Sequence, residues 1–183
     1  MKAVRVKTVW FRKNGERTPA ELASVLASTL WRLAEKLVDN MSRADYDIVT
    51  PARGFRIIAE VLALGLHLCD RWAFGRLDDE RRTALVQAIG ARLADTMESN
   101  APGTRQDLID MLNRRGTDYA EFDIPASGAG FPVLRYLAAQ IREAMQEHDQ
   151  HWVMDQVMDV EMPELLGTLK KTFDGLIAPP VAH

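Results

Sequence analysis

Apolar residues recur at helical spacing along most of the chain. The densest run is residues 50–75, TPARGFRIIAEVLALGLHLCDRWAFG. At about 100° per residue, its apolar side chains cover well over half the circumference, leaving one polar stripe of Arg56, Glu60, His67, Asp70 and Arg71. A helix this apolar belongs inside a core, packed on several sides. His67, Asp70 and Arg71 interrupt it, so it does not read as a membrane span. Thr50 and Pro51 suit its first turn, and Gly75 suits a left-handed exit.

The other elements follow from the same periodicity. Thr18-Pro19-Ala20-Glu21 is a capping box, and Leu22, Leu26, Leu30, Leu33, Leu37 and Met41 continue it as a one-faced helix. A third helix spans 77–99, capped by Asp78, with Leu85, Ile89, Leu93 and Met97 as its buried stripe. Thr104 is the expected cap of a short fourth helix that Gly116 closes. Residues 116–130, GTDYAEFDIPASGAG, then form the longest expected irregular stretch. Pro132 opens a fifth helix with a bend near 149–152, and a segment 153–162 is expected to stop before Pro163, which starts a last helix over 163–177. The fold class is therefore all-α: about six helices around a buried central helix at 51–74. The domain organisation is a basic arm at 1–17, one helical domain at 18–178 and a disordered tail at 179–183.

The arm is the one departure from helical patterning. Val4, Val6 and Trp10 alternate with polar residues in a weak strand pattern, and six basic residues stand against one acid. No second strand is readable downstream. The N-terminus has no apolar run of the signal-peptide kind, so a cytoplasmic protein is expected. A net charge of −3 argues against a dedicated nucleic-acid binder, and the first helix leaves no room for a helix-turn-helix. The lone Cys69 excludes an intramolecular disulfide and reads as a small buried hydrophobe.

Three groups of residues carry candidate chemistry. Glu60 and His67 share a face of the central helix, and Glu147, His148 and His151 cluster on the fifth; facing each other, these five would form a carboxylate–histidine metal site. The Glu-x-x-His pairs that define such bundle sites are missing, so the simpler expectation is a solvated stripe with Arg56–Glu60 pairing, a core His148 and no cofactor. Ser127-Gly128-Ala129-Gly130 precedes a helix as phosphate loops do, but no Gly-Lys-Ser/Thr follows, and Asp118, Glu121 and Asp123 lie close by. The C-terminal third holds seven acids and no Lys or Arg between Glu143 and Glu164, with Met154, Met158 and Met162 at four-residue spacing. Together with Tyr119 and Phe122 of the irregular stretch, these methionines are the candidate partner surface.

No nucleophile–base pair, ligand set or phosphate cradle stands out, and no catalytic residue is assigned. The leading expectation is a non-enzymatic, self-associating helical interaction or adaptor protein, with a protein partner or a second copy as ligand. The alternative is a metal-dependent or small-molecule-binding helical enzyme using Glu60, His67 and Asp70 of the central stripe. A regulator touching nucleic acid through the arm is a third.

Overall fold

A computed structural model describes residues 17–48, 50–125 and 127–178. Its elements are α1 (Pro19–Arg43), α2 (Pro51–Ala73), α3 (Asp79–Asn100), α4 (Arg105–Ala120), α5 (Phe131–Ala144), a 3-10 turn (Glu147–Gln150), α6 (Val153–Asp155), a π-helical stretch (Gln156–Glu161) and α7 (Met162–Leu176). No strand forms among the described residues; Phe74 and Leu77 make one isolated bridge. Residues 1–16 of the arm expected at 1–17, and the tail at 179–183, lie outside the described residues.

Helix starts follow the local sequence. Thr18 and Glu21 exchange both bonds of the capping box, with Thr18 N–H donating to Glu21 Oε2 at 2.9 Å. Thr50 Oγ1 accepts from Arg53 N–H, and Asp78 Oδ1 accepts from Arg81 N–H. Gly75 takes φ +75°, the left-handed turn that ends the central helix region. Thr104 does not cap α4 through its side chain. The Glu98 carboxylate takes that role, accepting from the N–H groups of Gly103 and Arg105. These backbone bonds hold the Glu98 carboxyl below its ordinary range.

The central helix is enclosed as its pattern requires. α2 packs against α1, α3, α4 and α5. It runs antiparallel to α1, with Gly65 against Leu30 and Gly54 near Val38 and Ile48. A Cβ at Gly65 would stand 2.1 Å from Leu30 Cδ2, so the glycine permits this close approach. Ile57, Leu62, Leu64, Leu68 and Cys69 have no exposed surface. Asp70 leaves the polar stripe to bind Arg82 of α3 through two bonds of 2.7 and 3.0 Å, which sets α3 antiparallel to α2.

Two stretches differ from the sequence reading. Gly116 does not close α4, which continues to Ala120. The extra turn is held because Tyr119 is fully buried and Arg115 is tied to α2 and α5, gains larger than the cost of a glycine in a helix. The irregular stretch is correspondingly shorter, 121–130. The chain also does not stop before Pro163. The π stretch passes into α7 with Pro163 as the second residue of that helix, a first-turn position that proline tolerates.

Candidate functional site

Three polar side chains are buried among the described residues: Thr29, Glu60 and Glu161. Glu60 is the most enclosed charged side chain, with 1% of its surface exposed. It sits on the part of α2 that faces α4, and Arg115 of α4 meets it. Arg115 Nε donates to Glu60 Oε2 at 2.7 Å and Nη2 to Glu60 Oε1 at 2.8 Å. The remaining guanidinium hydrogens go to Asp118 Oδ2 (3.0 Å), Tyr136 Oη (3.1 Å) and Gln140 Oε1 (2.6 Å). Tyr136 donates its hydroxyl to Asp118 at 2.6 Å. One guanidinium thus joins α2, α4 and α5.

The electrostatics fit a fixed strut rather than a reactive centre. Arg115 is driven further into its charged form, first by its bond to Glu60. The Asp118 carboxyl is held below its ordinary value, first by the Tyr136 hydroxyl and then by Arg115. Burial, followed by the bond to Asp118, pushes the Tyr136 phenol up to about 12. Every donor of Arg115 is engaged, which leaves the guanidinium no bond to offer a substrate. The Arg56–Glu60 pairing expected from helical spacing is replaced by this interhelical pair, because Glu60 turns inward where water cannot solvate it.

Of the rest of the stripe, Arg56 and Arg71 are exposed, Asp70 binds Arg82, and His67 packs on an aromatic neighbour. The His67 ring lies 5.7 Å from that of Tyr119, tilted by 35°. Burial lowers the His67 pKa, with Asp70 opposing and Arg71 reinforcing, so the imidazole is neutral at neutral pH. The Tyr119 hydroxyl is buried without a hydrogen-bond partner. Burial pushes this phenol far up, and it is no acid at any ordinary pH. Cys69 is fully buried and pushed to about 12 by desolvation, which makes the thiol inert.

The five candidate metal ligands are not gathered. Glu60 is bound by Arg115, His67 packs on Tyr119, and Glu147, His148 and His151 are exposed. α5 ends at Ala144, so the last three sit on and after the 3-10 turn rather than on a helix facing α2. His148 is 66% exposed instead of being a core histidine, and pairs with Asp149 at 3.3 Å. Asp47, His148 and Asp149 bring ligand atoms within 4.8 Å of one another, but Asp149 already accepts the Asp47 N–H. Of the candidate partner surface, Tyr119 and Met162 belong to the core, with 0% and 1% exposure. Phe122 leans on Tyr136, and Met154 and Met158 are half-buried in a cleft beside α5.

An apolar cleft lies one turn along α2 from the strut. Phe55 and Ala59 of α2, Met97 of α3, and Leu108 and Met111 of α4 wall a cleft of about 530 Å³, open to solvent. Its lining comes from the first turns of α2, the last turn of α3 and the first turns of α4, and the turn at 101–104 joins the last two. Arg56 stands on the α2 rim and Asp107 on the α4 rim, and neither forms an ion pair among the described residues. Sequence reasoning missed this groove, since its residues come from three elements. It also missed Arg115, Tyr136 and Gln140; the one signal was a glutamate on a helix with too little polar surface to solvate it. No protein-family model, curated protein or solved structure matches this chain.

Proposed function

We propose that the protein is a helical interaction module that binds an amphipathic helix of a protein partner in the groove between α2, α3 and α4. The observation that carries this reading is the groove itself: apolar walls from three rigid helices, open along one side, with opposite unpaired charges on its two rims. An open groove suits a partner helix, whose outer face stays in water, better than a small ligand that needs enclosure on most sides. The rims define the partner. Its apolar stripe is flanked by an acidic residue facing Arg56 and a basic residue facing Asp107. The Glu60–Arg115 strut supports this role by fixing α4 against α2 at the closed end of the groove. No helix of the described residues is long and apolar enough to cross a membrane.

The test places a photo-crosslinking amino acid at Ala52, on the groove rim, and in a second protein at Gln87, on the exposed face of α3. In a lysate of the source cells, the Ala52 probe is expected to capture one helical segment that the Gln87 probe does not. Adding Arg56→Glu should weaken capture without lowering the melting temperature. Equal capture at both positions, or capture indifferent to Arg56→Glu, contradicts the proposal.

A further inference from the structure

Three of the four large hydrophobic side chains that stand exposed among the described residues fall between positions 131 and 160: Phe131 at 66%, Trp152 at 73% and Val160 at 58%. Phe131 lines a second cleft, of about 330 Å³, and Trp152 and Val160 flank in sequence the Met154–Asp159 run that forms its other wall. One wall is α5, where Phe131, Arg135 and Arg142 share a face because four and eleven residues both bring a helix back to nearly the same side. The other wall is the α6–π segment, which presents Met154 and Met158 with Asp155 and Asp159. Arginines thus line one side and aspartates the other.

These charges face each other across the cleft without meeting. None of the four forms an ion pair among the described residues; Arg142 instead reaches the Met154 sulfur at 3.6 Å. A surface carrying both signs in separate stripes, with apolar side chains between them, is complementary to itself after a two-fold rotation. Methionines at its floor adapt to the opposing surface, and large exposed aromatics supply the contact area.

We infer that this face is a self-association surface, on which a second copy of the chain sets its α5 arginine stripe against the α6–π aspartate stripe of the first. Phe131 and Trp152 become buried in the pair. The interface is separate from the α2–α3–α4 groove, so each protomer of the pair keeps its groove open. It stands whether or not the groove takes a partner helix.

Charge reversal tests it. Full-length Arg135→Asp/Arg142→Asp and Asp155→Arg/Asp159→Arg chains are each followed by sedimentation over a concentration series, with thermal melting to confirm folding. Each variant alone should dissociate, raising the dimer dissociation constant by about tenfold or more, since like stripes now face each other. Mixed in equal amounts, the two should recover a heterodimer, seen by mass in native mass spectrometry. A wild-type chain that remains monomeric, leaving the face to some other protein, overturns the inference. So do folded variants that associate like wild type, which would put self-association elsewhere, and folded variants that dissociate but fail to pair with each other.

Discussion

Arg115 is the residue on which the described network turns. A buried ion pair contributes little net stability compared with a well-packed apolar pair, but removing one partner leaves the other charge stranded. Arg115→Ala should therefore destabilise the fold by about 3–5 kcal/mol, from a total of order 5–15. Glu60→Leu/Arg115→Met should recover most of that loss, because neither charge remains to be solvated. Urea denaturation of the two variants checks both numbers; a single variant no worse than the double would remove the strut from the account. His67 gives a second handle. Burial lowers its folded-state pKa below the ordinary 6.5, so the unfolded chain takes up the proton first. Its contribution is present above about pH 6.5 and is lost as pH falls toward the folded-state value. The melting temperature should drop between pH 7.5 and 5.5, and His67→Gln should flatten part of that slope. An unchanged slope would mean the imidazole is freely solvated.

At the scale of elements, what was legible was whatever one segment decides for itself. The caps at Thr18, Thr50 and Asp78, the buried stripes of α1 and α3 and the turn at Gly75 all lie in local sequence. What was not legible depends on a neighbour. Gly116 looks like a stop until Tyr119 is seen buried beside His67 and Tyr136. Pro163 looks like a break until the π stretch is seen to reposition it. That stretch is held by Glu161, whose carboxylate accepts from Asn40 of α1 at 2.9 Å and from Gln156 at 2.9 Å. Glu161→Ala should cost about 1–3 kcal/mol, since two amides lose their acceptor in a largely buried place. The α1–α2 contact makes a sharper demand. Gly65→Ala should destabilise by about 1–3 kcal/mol through its clash with Leu30. Leu30→Ala added to it should cost less than Leu30→Ala alone, a coupling that a double-mutant cycle measures. Strict additivity would show that the two helices do not meet there.

For the whole molecule, the central helix ties the account together. Its apolar circumference makes it the hub, and its few polar groups are used to orient what surrounds it: Glu60 fixes α4 and α5 through Arg115, and Asp70 fixes α3 through Arg82. The candidate surfaces are what remains. The groove is walled by the first turns of α2 and α4 and the end of α3, and the charged cleft lies where α5 meets the chain leading into α7. The all-α architecture was readable from periodicity because each helix announces its own buried face. The surfaces were not, because each is assembled from residues far apart in sequence. Native-state hydrogen exchange tests the hub most directly. The account predicts that the amides of Ile57 to Trp72 exchange among the slowest in the protein, through global unfolding, and that Arg115→Ala accelerates α4 before α2. Fast exchange across Ile57 to Trp72 in the wild-type chain would contradict it.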